Sequence, residues 1–205
     1  MQPLRSKTIE VPKLGSQRAA FGGEKKAVNK TKSILQPEKD NPLWRQLLDE
    51  LANRYEGELE IVFPTEWNKH YFSWFHSIEE TGFRRELQYS FEELTKILEN
   101  PDLIFWFIIV DGEPQILLLG YSIQDEHSKS YYFDTFAVKR RGEGIGNIVI
   151  EFMIRWAKTK QFQTIVLDTE LRDEKGILLQ QFYAKHGFET VSISEKGDVI
   201  MKFVL

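Results

Sequence analysis

Between a strand-like run and an amphipathic helix the chain carries Arg140-Arg141-Gly142-Glu143-Gly144-Ile145-Gly146. These glycines constrain the fold more than any other stretch, because they let a backbone turn tightly and approach a ligand closely. The segment after them repeats apolar residues at helical spacing: Ile145, Ile148, Val149, Phe152, Met153 and Trp156. Amide groups at the start of a helix lack intrahelical acceptors, and the helix dipole there favours an anion. With Lys139, Arg140 and Arg141 beside it, the loop reads as a cradle for a phosphate or pyrophosphate. Two familiar phosphate loops are excluded. A Walker loop ends in Gly-Lys-Ser/Thr, whereas Asn147 follows Gly146, and the dinucleotide fingerprint is G-x-G-x-x-G, whereas the spacing here is G-x-G-x-G.

The surrounding pattern predicts one ordered region from about residue 41. Asp40 and Asn41 can cap a helix over 41–56, with Pro42 in its first turn. A half-buried strand is expected over 58–63, a mostly helical aromatic segment over 65–82, and a helix over 91–99 opened by the Ser90/Glu93 capping box. Leu103–Val110 is apolar on both faces, and Asp111-Gly112 joins it by a hairpin to a strand over 115–122. A strand over 131–138, a helix over 145–160, a strand over 164–169, a helix over 176–186 and strands over 188–194 and 199–204 complete the order. Three strands joined by hairpins before the glycine loop describe a largely antiparallel sheet, which a doubly wound fold would not show.

With that order in place, Arg141-x-x-Gly144-x-Gly146 resembles the acetyl-CoA pyrophosphate loop of the GNAT N-acetyltransferases. The preceding Phe133-Asp134-Thr135-Phe136-Ala137-Val138 is similar to the family's fourth strand, and Phe182-Tyr183-Ala184-Lys185-His186-Gly187-Phe188 to its Tyr-x-x-x-Gly-Phe signature. The resemblance implies an α+β fold in three layers: a mixed, mostly antiparallel central sheet of six to seven strands flanked by helices, with the fourth and fifth strands splayed. It also implies acetyl-CoA as cosubstrate, no metal, and direct transfer to a primary amine in a ternary complex. By the same resemblance, backbone amides of Arg141, Gly142, Glu143, Gly144, Ile145 and Gly146 would hold the pyrophosphate, and backbone groups of Phe136, Ala137 and Val138 the pantetheine arm. Asp134 would accept the amine's proton and Tyr183 would protonate the leaving thiolate. Two departures stand out: the connection from Val138 to Arg141 is about two residues shorter than usual, and Gly176 occupies the position where the family often has Asn.

Read without the resemblance, Asp134 is equally a structural carboxylate and Tyr183 a packing residue. His70 and His76 are candidate bases, and Glu79 and Glu80 either attract a cationic amine or form a solvated face. Trp67, Tyr71, Trp74 and Phe75 line an acceptor pocket or pack in the core.

Composition separates the chain into two parts. Residues 1–40 hold nine Lys and Arg against four Asp and Glu, a net +5; the whole chain is −4, so the remainder is −9. The first part has too few apolar residues to offset its ordering entropy and reads as a flexible basic tail on a single domain over 41–205. The acidic body favours association with cationic acceptors, whether a protein N-terminus, a Lys side chain, a polyamine or another small amine. Zero Cys excludes a disulfide scaffold, a Cys-ligated metal and a thiol nucleophile. No apolar run approaches membrane-span length and no signal-peptide core is evident, so a cytoplasmic protein without a membrane partner is expected. A homodimer is compatible with all of this. Two other function classes remain open: an acyl-CoA-binding sensor or interaction module with little catalysis, and a nucleic-acid-associated protein tethered by its tail.

Overall fold

The computed structural model describes residues 41–64, 66–124, 128–173, 176–195 and 197–205; the expected tail over 1–40 lies outside them. The first helix, α1 (Pro42–Ala52), starts where the Asn41 side chain accepts from the Leu43 amide at 3.0 Å. It ends four residues earlier than the expected 56, because the amides of Arg54 and Tyr55 turn back onto the Leu51 carbonyl. After β1 (Leu59–Val62), α2 (Lys69–Glu79) is capped by Asn68 and stops before the expected Gly82. A short 3-10 turn (Arg85–Leu87) precedes α3 (Phe91–Ile97), whose Ser90/Glu93 capping box forms as expected.

The apolar run Leu103–Val110 is β2, joined to β3 (Glu113–Gln124) through Asp111 and Gly112, both at positive φ as a type I′ turn requires. Then come β4 (Lys129–Val138), α4 (Ile145–Thr159), β5 (Thr164–Glu170), α5 (Leu179–Ala184), β6 (Glu189–Ile193) and β7 (Asp198–Val204). Helix α5 is much shorter than the expected 176–186. The Ile177 amide donates to Asp173 Oδ1 at 2.8 Å and the Gly176 amide to the Asp173 carbonyl at 2.9 Å, so that stretch is a turn.

The seven strands form one sheet in the order β1-β2-β3-β4-β5-β7-β6, with every neighbouring pair antiparallel except β4 and β5. Its two faces bury separate cores. On one, Trp44, Leu47 and Leu51 of α1 meet Phe152, Met153 and Trp156 of α4 over Trp106, Ile116 and Leu118. Trp44 is the hub there, with ring centroids 4.7 Å from Phe152, 5.1 Å from Phe63 and 5.8 Å from Trp106. On the other, Phe75 and Ile78 of α2 and Leu94 of α3 cover Phe105, Phe107, Leu117 and Leu119. This is why β2 is apolar on both faces: each side of it lies under helices.

Helix α1 is therefore a structural part of the fold rather than an ornament. Leu47 is fully buried against α4, so Leu47→Ala should cost roughly 2–5 kcal/mol by urea denaturation. A loss under about 1 kcal/mol would show that α1 packs only loosely.

Candidate functional site

Strands β4 and β5 run parallel for only four pairs, from Ser130↔Thr164 to Phe133↔Leu167. Beyond that point β4 stays with β3 and β5 stays with β7, so the sheet splits. A bulge marks the split on β4: Leu119 faces Thr135 and Gly120 faces Phe133, leaving Asp134 as the extra residue. From residue 134 to 138 the β4 edge facing β5 has no ladder partner, and such an edge can receive another extended chain.

The glycine loop closes the wide end of this split. Gly144 is the N-cap of α4 and sits at φ 78°, a left-handed conformation that a Cβ would strain. Gly146 is held between two rings: a Cβ there would lie 3.2 Å from Phe182 and 3.9 Å from Phe136. Its missing side chain lets α5 close onto the start of α4. The first backbone amides after the loop to find acceptors are those of Asn147 and Ile148, both bonded to the Gly144 carbonyl. Those of Arg141 to Gly146 have none among the described residues. These amides lie at and just before the start of α4.

The arginine side chains play another part. Arg140 pairs with Glu143 and lies over the Tyr55 ring, 4.8 Å from its centroid. Arg141 donates to Asp173 Oδ2 at 2.7 Å and packs against Gly82, where a Cβ would collide with its guanidinium. Arg141 thus ties the end of α2 to the β5–α5 connection. The positive spot expected at 139–141 is reduced, among the described residues, to Lys139 as the cation without a carboxylate partner.

Asp134 lies on the face covered by α2 and α3. Its Oδ1 accepts from the Tyr89 hydroxyl at 2.7 Å and from Thr135 Oγ1 at 3.0 Å. Tyr89 is itself anchored, its amide shared between both oxygens of Glu79 at 3.2 and 3.3 Å. Glu79 is fully buried, so the solvated-face reading of Glu79 and Glu80 fails at Glu79: the last turn of α2 faces the sheet there. Burial, and secondarily Asp134, pushes the Tyr121 and Tyr131 phenols above their ordinary range. Tyr183 on α5 packs on Phe182 and Phe188, with centroids at 5.1 and 5.7 Å. Burial raises its pKa and keeps the phenol protonated at neutral pH. Its hydroxyl has no hydrogen-bond partner among the described residues.

The other candidates stay apart from the split. The His70 ring lies tilted against Trp74, with centroids 4.4 Å apart, and His76 faces Glu80 at 3.1 Å along α2. Phe75 is fully buried, and Trp67, Tyr71 and Trp74 pack around the same core. Sequence reasoning did not single out Tyr89, whose position just before a capping box looks like a linker. It also passed over Asp168, a carboxylate interrupting the β-branched run of β5. Nor does the sequence show that Asp173 pairs with Arg141.

The sheet is thus mixed, and it parts between its parallel strands β4 and β5 with the glycine loop at the opening. Residues 64–188 match the model of the acetyltransferase (GNAT) family, and the chain belongs to that family. The fold is similar to that of the ribosomal-protein-S18-alanine N-acetyltransferase from Escherichia coli (13% identity, 72% of this chain and 94% of that one, TM-score 0.55). It is equally similar to the PaiA N-acetyltransferase from Thermoplasma acidophilum in complex with coenzyme A (15%, 72% and 99%, TM-score 0.55). An acetyltransferase from Streptococcus agalactiae shares 20% identity over 74% of this chain and 100% of that one, with a TM-score of 0.55. No curated protein sequence matches the chain significantly.

Asp173 is buried against a guanidinium that is itself only 26% exposed. Asp173→Ala should therefore cost roughly 1–3 kcal/mol by leaving a partly buried charge without its partner. A double-mutant cycle with Arg141→Ala measures the coupling; additive losses would show that the pair contributes nothing.

Proposed function

We propose that the protein is an N-acetyltransferase that moves an acetyl group from acetyl-CoA to a primary amine. The observation that carries this reading is the run of free amides from Arg141 to Gly146 at the mouth of a split sheet. The residues fit the cosubstrate. A pyrophosphate needs several donors and close backbone approach, and the loop offers both. The extended pantetheine arm needs a strand edge, and the open side of Phe136, Ala137 and Val138 supplies it. The coenzyme A carried by the Thermoplasma neighbour supports the same assignment.

Acetyl-CoA, when bound, supplies a thioester carbonyl already activated toward an amine. The protein's part is to place it and to move protons. Backbone of 136–138 fixes the arm, and the 141–146 cradle fixes the phosphates. Asp134, on the acceptor face, draws the amine toward the split. Tyr183 Oη, held protonated by burial, gives its proton to the leaving sulfur. With no Cys in the chain, an acyl-cysteine cannot form and direct transfer is the economical course. In this reading residues 41–205 form one acyltransferase domain, and residues 1–40 are a basic appendage to it.

Titration calorimetry with acetyl-CoA tests the carrying observation: binding should be measurable and weakened at least tenfold by Gly146→Val, which forces a side chain against Phe182. No heat and no thermal shift with the wild-type chain would refute the reading. Tyr183→Phe should lower kcat by about 10²–10⁴ while leaving cofactor Kd unchanged. Unaltered kcat would remove Tyr183 from the chemistry.

A further inference from the structure

We propose that Asp168, the first residue of β5 beyond the split, takes the proton from the acceptor's ammonium group. This rests on the N-acetyltransferase reading above and adds to it the identity of the proton acceptor.

The register places the residue. Phe133↔Leu167 is the last pair between β4 and β5, so Asp134 and Asp168 are the first residues on either bank of the opening. Leu167 is buried in the core beneath α4, and alternation turns Asp168 to the opposite face. The sheet confirms that face: Leu119 packs under α2 and α3, Tyr121 lies two residues on, and the pairs Tyr121↔Tyr132 and Tyr132↔Val166 lead to Val166, two residues before Asp168. Both carboxylates thus look into the same side of the split, where the acceptor must enter.

Their surroundings separate their roles. Asp134 accepts two hydroxyl donors on one oxygen, from Tyr89 and Thr135, and is held in place by them. Asp168 has no cation in contact among the described residues. Its β7 partner is Ile200, flanked on the same face by Asp198 and Lys202, and Lys202 makes no ion pair with it. On its own strand Glu170 is paired with Arg84 from the α2–α3 connection, so that cation is engaged elsewhere. From β4 come Asp134 and Tyr132. Burial first, and the charge of Asp198 second, raise Asp168 to about 6, against a smaller lowering by the Thr169 amide. A half-buried carboxylate with Asp198 nearby gains from a cation beside it, and an acceptor ammonium provides that cation. Such a base is ionised at neutral pH, yet basic enough to hold a proton transiently.

The proton balance is simple. One ammonium proton moves to Asp168 and on to solvent. The C–N bond forms as the C–S bond breaks, and the electron pair leaves on sulfur. Tyr183 Oη protonates the sulfur and regains the second nitrogen proton. One proton is released per turnover.

The test is Asp168→Asn, which keeps the shape and removes the charge. Because the chain has no Cys, a thiol reagent reports only released CoA. With spermidine and an N-terminally free Ala peptide as probes, wild-type kcat/KM should rise through an acid limb near pH 6, where Asp168 loses its proton. Asp168→Asn should lower kcat/KM at pH 7.5 at least ~100-fold and abolish that limb, with acetyl-CoA affinity unchanged. Asp198→Asn should move the limb to lower pH. A readout independent of turnover is thermal stability without ligand. Since folding raises this pKa, the ionised form opposes folding above pH 6. Asp168→Asn should thus increase Tm at pH 8, and the gain should vanish toward pH 4. A variant with wild-type turnover, or with the acid limb intact, overturns the proposal, as does a fall in Tm at pH 8, the mark of a structural carboxylate. If the wild-type chain releases no CoA with any amine, the N-acetyltransferase reading falls, and this proposal with it.

Discussion

Everything in the site depends on the parting of β4 and β5 after four hydrogen-bonded pairs. A strand normally satisfies its backbone on both sides, and an edge left open inside a sheet is costly unless something fills it. Here each strand is held by its other neighbour, β4 by β3 through Val138 and β5 by β7 through Glu170, so the split persists without collapse. The bulge at Asp134 adds local twist where the strands part. The wide end is closed by the loop and by α5, which reaches α4 only because Gly146 presents no side chain to Phe182.

Charge is distributed with the same economy. Three arginines around the split are engaged with carboxylates: Arg140 with Glu143, Arg141 with Asp173, and Arg84 with Glu170. The guanidinium of Arg54 lies beside Gly144. Two of these ion pairs also brace the rim: Arg141 beside Gly82 reaches the β5–α5 connection, and Arg84 reaches the end of β5.

Much of this was legible in the chain. The run Leu103–Val110, the Asp111-Gly112 turn and the Ser90/Glu93 box announce themselves through period and turn chemistry, which act within a few residues, and each appears where expected. The glycine turn before α4 was legible for the same reason, because glycine spacing and a helix start are local facts. Helix ends were less so: α1 stops at Ala52 and α5 begins only at Leu179, each decided by a carbonyl or carboxylate that captures the next amides. Glu79 was misread because a Glu-Glu pair on a helix looks solvated until the sheet it faces is known.

By itself, then, the sequence determined the order of the elements, the glycine turn before α4 and the family, because these follow from short-range spacing. Only the tertiary structure decided which side chains share the opening. Tyr89 meets Asp134 across 45 positions of chain, Arg141 meets Asp173 across 32, and Asp168 faces the split because β5 loses one neighbour while keeping the other. Such contacts depend on strand register and burial, and both are properties of the packed sheet rather than of any local run of residues.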